Sequence, residues 1–483
     1  MIANKTEKPQ MNNTTKIATI QNCSGRRAFL KRAGALSGYG AAAPLMLNLA
    51  AVGEAAAQSA NDYKALVCVF LYGANDHYNT LVPYDTASWN TYSTIRGSLA
   101  RVKDTQTTAA LVPTAALSDS IRSFALASEL AGLKTMWDAG HMATMLNIGP
   151  LLVPTSKAQY TAQSVPLPPK LFSHNDQQSI WQSLAAEGAT SGWGGRIGDL
   201  FAAGNGGSVF TSVSVTANAV YSSGKQVNQY QISPTGSVAL KAKTAAVFGS
   251  STVASTLQQL VQQSSSNLYE TEYARVSKRA IAADAQLATV LAGITQPAGF
   301  AADSLSAQLA MVTRLIQVQQ TLGVKRQVFF VSLGGFDLHD FLVDKHPPLL
   351  TQIGAALTSF YNALGTLNLR DKVTTFTASD FGRTLSSNGD GSDHGWGSYH
   401  FVMGSSVAGG RYYGKTNASG EVVAPALADN GADDVGRGRL LPAISVDQFG
   451  ATLASWFGVS ATDLNTVFPN LNQFSQKNLG FMI

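Results

Sequence analysis

Three segments of this chain combine aspartate with histidine or arginine in a pattern suited to binding a cation. Their acidic and histidine residues are Asp76, the pair Asp337 and His339, and the group Asp380, Asp393 and His394. Several carboxylates that meet at one place repel one another unless they are protonated or bound to a cation. Mixed aspartate and histidine ligands suit Zn²⁺, Mn²⁺ or iron, whereas oxygen ligands alone suit Mg²⁺ or Ca²⁺. The residue types therefore favour a divalent metal site.

Each of these segments follows a short apolar run that predicts a buried β-strand. The runs cover residues 64–72, 327–333 and 373–378, and a fourth covers 142–148. Near-continuous apolar runs are typical of parallel strands that are buried on both faces. In an open α/β sheet, ligands bind outside the carboxyl ends of the strands. We therefore expect the three segments to meet at one edge of a mostly parallel sheet.

Each candidate also has a purely structural interpretation. An aspartate directly after a strand often closes a turn or caps a helix, which applies to Asp76 and to Asp380. Asp393 and His394 lie in a polar, glycine-rich loop, where such pairs are often solvated. The residues alone leave these alternatives open, and the repetition of the pattern at several strand ends favours a site.

Arg383, three residues after Asp380, suits an anionic ligand. A guanidinium can donate two parallel hydrogen bonds to phosphate or sulfate oxygens. Two metal ions about 4 Å apart can activate a nucleophile and stabilise the leaving oxygen of a phosphoryl or sulfuryl ester. The pattern predicts such chemistry, with Arg383 on the nonbridging oxygens and a small-molecule or polymeric ester as substrate.

Ser173 precedes a predicted helix that extends to Glu187. A serine at this position is usually an N-cap. It is also suitably placed for a nucleophile, because a helix N-terminus stabilises a developing anion. Both roles stay open at this stage.

The first 57 residues have the pattern of a twin-arginine signal peptide. Residues 26–31 read R-R-A-F-L-K, a glycine- and alanine-rich run covers 33–52, and three alanines at 55–57 suit cleavage. An uncleaved anchor is the alternative, since the run is nearly long enough to span a bilayer. Its glycines and Pro44 oppose that alternative. We expect export by the twin-arginine translocation machinery to the periplasm or beyond, with a mature domain at 58–483 that has no stable membrane span.

Charge and cysteine content narrow the class of protein further. The chain has a formal net charge of +5, but the excess lies in the leader, and the remainder has 27 basic and 27 acidic residues. That balance gives no sign of a nucleic-acid partner. Cys23 would leave with the leader, and Cys68 lies in a predicted strand as a buried small hydrophobe, so the mature chain has no internal disulfide.

Residues 200–325 differ in composition from the rest of the chain. They contain no histidine, and their polar, glycine-rich first part is followed by helical periodicity. This pattern favours an inserted cap segment over a catalytic centre. The expected fold from the residues is thus α/β, with a mostly parallel central sheet and an inserted cap segment.

Together with the leader, several motifs make this chain resemble a family of secreted proteins known as domain of unknown function 1501. The motifs lie at residues 73–83, 171–176, 334–339, 379–384, 393–397, 445–459 and 467–471. That family in turn resembles the alkaline phosphatase and sulfatase superfamily, whose members have two metal ions in an α/β/α sandwich. The resemblance implies this fold and an exported, metal-dependent hydrolase of phosphate or sulfate esters. The alternative is a non-catalytic, metal-stabilised binding or cell-envelope protein on the same scaffold.

The resemblance also implies roles for single residues. Asp76 would be the metal ligand after the first strand, and Ser173 would lie in the nucleophile region. Asp337 with His339 would form one ligand pair, and Asp380 with His394 would contribute to the other. The superfamily commonly has Asp-x-x-x-His where this chain has Asp337-x-His339, and the family usually has glutamate in place of Asp380. These differences leave open how many metals bind and which ones.

Overall fold

The structure is a computed structural model, and it describes residues 62–237, 246–263, 265–428 and 430–483. The predicted twin-arginine leader lies outside the described residues and stays a prediction. In the part described, no helix is both long enough and apolar enough to cross a membrane.

The described strands are β1 Lys64–Leu71, β2 Leu81–Pro83, β3 Phe124–Leu126, β4 Met142–Gly149, β5 Ser212–Ser214, β6 Tyr230–Ser233, β7 Gly236–Ser237, β8 Arg326–Leu333, β9 Val373–Ser379, β10 Arg383–Ser387, β11 Ser392–His394, β12 Ser398–Met403, β13 Arg411–Tyr413 and β14 Ile444–Ser445. The described α-helices are α1 His77–Thr80, α2 Thr86–Arg96, α3 Lys134–Asp138, α4 Lys157–Ala162, α5 His174–Ser183, α6 Trp193–Phe201, α7 Ser251–Leu260, α8 Leu268–Leu291, α9 Ser304–Gln317, α10 Leu342–Thr366, α11 Val446–Phe457 and α12 Leu464–Val467. The four long strands predicted from apolar runs are all present.

A mostly parallel sheet forms the centre of the described chain. Its strand order is β13-β4-β12-β9-β1-β8-β5-β6-β7, and β14 also pairs with β4. β1 lies between β8 and β9 and is parallel to both. β12 is antiparallel to its two neighbours, and β7 is antiparallel to β6. The carboxyl ends of β9, β1 and β8 are therefore adjacent at one edge, as predicted.

Helices cover both faces of this sheet. Because side chains alternate along a strand, Val67 and Val69 of β1 join one core cluster while Leu66 and Cys68 join the other. The first cluster includes apolar residues of α9 and α10, and the second includes those of α6 and α11. The predicted three-layer α/β/α sandwich is thus confirmed, and Cys68 is the buried small hydrophobe that the sequence indicated.

Two parts of the chain differ from the sequence expectations. Residues 120–138 have apolar residues at helical spacing, which predicts a helix that ends at Gly140, but Phe124–Leu126 forms the strand β3 because it pairs antiparallel with β2. In the predicted cap at 200–325, β5 pairs with β8 and β6 pairs with β5, while α9 is buried beside β8. These parts belong to the sheet and its covering layer and not to a cap. A cap role stays a prediction for α7 and α8.

Candidate metal centre

The ends of β1, β8 and β9 are in direct contact at the predicted edge. The backbone N–H of Gly73, just after β1, donates to Oδ2 of Asp380, just after β9, at 3.1 Å. Gly73 has a φ of +107°, and a Cβ on it would lie 2.4 Å from the backbone nitrogen of Asp337. A side chain cannot fit there, so glycine lets the three strand ends converge.

Three imidazoles meet one carboxylate oxygen at this edge. The Nε2 atoms of His174, His339 and His394 lie 3.4, 3.1 and 3.3 Å from Oδ1 of Asp337. Nε2 of His394 lies 3.1 Å from Nε2 of His174 and 2.9 Å from Nε2 of His339. We call these four residues the histidine cluster. Their side chains are 23 to 46% exposed, so solvent or a ligand can reach them.

The second nitrogen of each ring fixes its tautomer. Nδ1 of His174 lies 2.5 Å from Oδ2 of Asp380, and Nδ1 of His339 lies 3.2 Å from Oδ1 of Asp393. Nδ1 of His394 lies 2.7 Å from the carbonyl oxygen of Phe172. Carboxylate and carbonyl oxygens only accept, so each Nδ1 must carry the proton. In the neutral rings, all three Nε2 atoms therefore present lone pairs toward Asp337.

A single cation would resolve this arrangement. Three imidazole nitrogens within 3.4 Å of one carboxylate oxygen would otherwise repel it, with only one arginine contact on Asp337 as relief. Ligands about 2.0–2.2 Å from a tetrahedral Zn²⁺ lie roughly 3.3–3.6 Å apart, close to the 3.1 to 3.4 Å that separate the donor atoms of His174, Asp337 and His394. The partners of the Nδ1 atoms are also of the kind that orient metal-binding histidines. These three donors, with His339 beside them, thus fit one divalent transition metal ion.

The surroundings shift the pKa values of the cluster in different directions. Burial lowers the pKa of His394, and the charges of His174 and Arg383 also oppose its protonation. Burial also acts to lower the pKa of His174, but the hydrogen bond and charge of Asp380 outweigh it and the pKa is raised. Burial opposes ionisation of Asp337, yet the charge of Arg383 and the nearby imidazoles hold its pKa below the usual value. Without a metal, His174 would therefore take up a proton before His394 does.

Asp380 and Asp393 lie behind the imidazoles. Besides His174 and Gly73, Oδ2 of Asp380 accepts a hydrogen bond from the side-chain amide of Gln178 at 2.9 Å, and Asp380 is fully buried. Asp393 holds His339 through Oδ1 and contacts Arg437 through Oδ2. Both aspartates were predicted as ligands, and the structure places them beside the cluster, where each holds one imidazole.

Arg383 is the arginine that touches the cluster. Its Nη2 donates to Oδ1 of Asp337 at 2.9 Å and to the carbonyl oxygen of Phe336 at 3.4 Å. The side chain is fully buried, and its Nε and Nη1 have no hydrogen-bond partner among the described residues. Arg383 therefore orients Asp337 in this structure, and its predicted contact with an ester stays a prediction.

Ser173 occupies the N-cap position of α5, next to His174. Its hydroxyl makes no capping bond to the backbone and donates instead to Oδ2 of Asp176 at 2.8 Å. The preceding Phe172 has a φ of +70°, a strained conformation that presents its carbonyl oxygen to His394. The start of α5 thus supports two members of the cluster.

Asp76 lies in a separate, closed network. Its Oδ1 accepts from the backbone N–H groups of Tyr78 and Asn79, which makes it the N-cap of α1. Its Oδ2 pairs with Arg96, and both side chains are buried. Because both carboxylate oxygens have partners from the chain, the structure does not support Asp76 as a ligand, and we leave it out of the candidate set.

His174 is the member of the cluster that sequence reasoning missed. It lies in the segment 171–176, which was interpreted only as the region of a nucleophile. The useful signal was the small number of histidines, seven in the whole chain, with one directly after Ser173. His174 also forms, with Asp337 and His394, the one group of potential metal donors found within 4.8 Å in the described residues.

A family profile matches most of the described chain. The family is described as "Protein of unknown function (DUF1501)", and the match covers residues 63–429. No curated protein matches the chain.

Several solved structures are similar to this one at low sequence identity. The lipoteichoic acid synthase LtaP from Listeria monocytogenes has 9% identity and a TM-score of 0.31, with 83% of this chain and 74% of that chain covered. The PsFucS1 sulfatase from Pseudoalteromonas sp. has 7% identity and a TM-score of 0.35, with coverage of 87% and 72%. A mutant of the alkaline phosphatase PafA has 13% identity and a TM-score of 0.28, with coverage of 68% and 64%. Similarity at this level carries no conclusion about the chemistry of this chain, which must come from its own residues.

Proposed function

The chain belongs to the DUF1501 family, as its motifs predicted, and from its site we propose that it is a metal-dependent hydrolase of phosphate or sulfate esters. One observation carries the proposal, namely three imidazole lone pairs that each lie within 3.4 Å of one carboxylate oxygen. The cluster is partly exposed and lies at the ligand-binding edge of the sheet.

His174, His339, His394 and Asp337 would hold the metal ion. A bound divalent ion supplies a water of lowered pKa and polarises an ester oxygen. The mixture of imidazole and carboxylate favours Zn²⁺, Mn²⁺ or iron over Mg²⁺ or Ca²⁺. The described residues gather donors for one ion, so a second ion stays a prediction without a ligand set.

The chain's own residues would prepare the site. Asp380 and Asp393 hold two imidazoles with their Nε2 lone pairs toward the centre. Arg383 fixes the carboxylate of Asp337 and keeps a positive charge beside the place where an anionic ester would bind. The hydroxyl of Ser173 already donates to Asp176, a carboxylate that could take its proton during nucleophilic attack.

The alternative is a non-catalytic metal-stabilised protein. Structural zinc sites usually have four protein ligands, whereas catalytic sites have three and an open position. His174, His394 and Asp337 supply three donors that all lie within 4.8 Å of one another, and His339 would be the fourth donor of a structural site. The Ser173→Ala variant separates the two functions, since only an enzyme would lose activity while it keeps its metal.

The location of the substrate follows from the predicted leader. Export by the twin-arginine machinery would place the protein in the periplasm or outside the cell, where its substrate would be a small or polymeric ester. Twin-arginine export carries folded proteins, so the metal could be bound before export.

The test measures the metal content and the ester hydrolysis of the exported mature protein. We expect one equivalent of a transition metal, and hydrolysis of at least one class among phosphomonoesters, phosphodiesters and sulfate esters. His141→Ala is the matched control for the cluster variant His394→Ala. His141 is a half-buried histidine that binds Tyr361 and lies outside the cluster. A metal-loaded protein that hydrolyses none of these esters would contradict the hydrolase proposal and leave the structural one.

A further inference from the structure

A cavity lies beside the N-terminal end of α10. It has a volume of about 170 Å³ and opens to solvent. Its apolar wall includes Leu99, Val102, Leu342 and Pro347. A dry engineered cavity of about 150 Å³ can hold benzene, so this space suits a single ring or several waters.

Two buried acceptors in its wall have no partner among the described residues. They are Nδ1 of His346 and Oε1 of Gln106, and both side chains are 1% exposed. The side-chain N–H₂ of Gln106 donates to Thr105 Oγ1 and to the Val102 carbonyl, so its oxygen is left to accept. A buried acceptor without a donor is destabilising, so a ligand that donates would be stabilised there.

A chain of hydrogen bonds makes the Nδ1 atom of His346 an acceptor. The hydroxyl of Thr80 donates to the carbonyl of Asp76 and accepts from the side-chain N–H₂ of Asn75. The amide oxygen of Asn75 therefore faces Nε2 of His346, at 2.9 Å, and Nε2 must carry the proton. Burial lowers the pKa of His346 to about 3, so the ring stays neutral and Nδ1 keeps its lone pair.

Pro347 belongs to the same wall. It lies inside α10 and has no N–H, so the carbonyl of Val343, four residues earlier, cannot receive the usual helical hydrogen bond from it. The wall thus combines two buried acceptors with an apolar side.

Arg101 and the two acceptors favour a neutral ligand that both donates and accepts hydrogen bonds. Arg101, which lines the cavity, is a cation paired with Glu129, and it disfavours a second cation. Its buried Nε has no partner among the described residues and suits an acceptor on the ligand. The two acceptors disfavour an anion. A hydroxyl can both donate and accept, so the wall fits a neutral molecule with an apolar body and one or two such groups.

We propose that this cavity binds a small neutral ring that carries hydroxyl or N–H donors, with a dihydroxybenzene as the representative ligand. The site is independent of the metal and of the proposed hydrolysis. It nevertheless shares a wall with the cluster, because Leu99 and Leu342 pack against Leu338, which lies between Asp337 and His339.

The test measures the binding of three probes to the metal-loaded mature protein by calorimetry. The probes are resorcinol, benzene and benzylammonium, which share a ring and differ in donors and charge. We expect resorcinol to bind with one equivalent and at least tenfold more tightly than either of the others. Equal binding of benzene, or tighter binding of benzylammonium, would overturn the proposal without any variant.

A variant then assigns the binding to this cavity. Gln106→Leu keeps the side-chain size and removes one acceptor, so resorcinol should bind roughly three- to tenfold more weakly while benzene is unaffected. Gln226→Leu, an exposed glutamine elsewhere, is the control and should change nothing. Unchanged resorcinol binding in Gln106→Leu, or a crystal soaked with resorcinol that holds only ordered waters in the cavity, would overturn the proposal.

Discussion

The chain contains the dipeptide Asp-His twice, and the two copies behave differently. Asp76 and His77 follow β1, and Asp393 and His394 lie in β11. In the first copy, Arg96 and two backbone N–H groups satisfy both oxygens of the aspartate, and the histidine is buried. In the second copy, the histidine is a quarter exposed and its Nε2 faces two other imidazoles.

The chain's own cations therefore decide which copy is complete without a metal. The network around Asp76 needs no ligand, because the guanidinium of Arg96 neutralises it. The histidine cluster has more acceptors than the chain has donors for it. Four substitutions test this difference between the two copies.

Replacement of His394 by alanine should abolish stoichiometric metal binding. The variant removes the one imidazole that contacts both other imidazoles, and it leaves the hydrogen bonds of the Asp76 network in place. The metal content of wild type, His394→Ala and His77→Gln would be measured by elemental analysis. His77→Gln should keep one equivalent, and a full equivalent in His394→Ala would contradict the assignment of the cluster.

Replacement of Arg96 by alanine should lower the stability of the fold and leave the metal content unchanged. It leaves the buried carboxylate of Asp76 without its cation, which typically costs about 3–5 kcal/mol of stability. Denaturant unfolding should show that loss, while the metal content stays at one equivalent. Arg275→Ala removes an exposed pair with Glu272 and should leave the unfolding curve unchanged. Loss of metal in a folded Arg96→Ala variant would mean that the two networks are not separate.

Replacement of Asp380 by asparagine should weaken metal binding without abolishing it. Nδ1 of His174 would lose its carboxylate partner, and changes of this kind typically cost about 10- to 100-fold in metal affinity. A competition titration with a chelator measures the affinity. Asp447→Asn changes a buried aspartate that binds Asn470, away from the cluster, and should keep the wild-type affinity. A complete loss of metal would instead indicate that Asp380 is itself a ligand.

The smallest effect concerns acid stability. Burial lowers the pKa of His77 to about 3, so between about pH 6.5 and pH 3 the unfolded chain binds one more proton than the folded chain at this residue. Stability from this source is therefore present above pH 6.5 and is lost as the pH falls. His77→Gln should reduce the slope of stability against pH in that range by about 1.4 kcal/mol per unit. Unfolding midpoints from pH 4 to pH 7 measure the slope. An unchanged slope in His77→Gln would mean that His77 does not contribute to the pH dependence of stability.

The sequence was sufficient for the scaffold and for part of the site. Apolar runs identified β1, β4, β8 and β9, and the rule for parallel strands placed Asp337, Asp380 and His394 at one edge. These features depend on the local pattern of apolar residues and on general rules of sheet topology. Both can be applied to a sequence without knowledge of its tertiary contacts.

The sequence was not sufficient where a partner decides the role of a residue. Asp76 is separated from Arg96 by twenty residues, and no local pattern shows that their side chains meet. His174 reaches the cluster because α5 begins beside β9, and that contact depends on tertiary packing. The ring orientations depend on Asp380, Asp393 and a strained carbonyl at Phe172, which only the folded chain defines.

The order of ligands along the chain has a consequence for biosynthesis. His174 and His394 are 220 residues apart, and the central strand β1 pairs with β8 and β9 only after residue 326. At about 5–20 residues per second, the ribosome needs roughly 10–45 s to make the segment between these histidines. Such non-local pairing is slow and comes late in folding. The cluster is therefore completed only when nearly the whole chain is available. A metal ion would bind to it only after synthesis and folding have both finished.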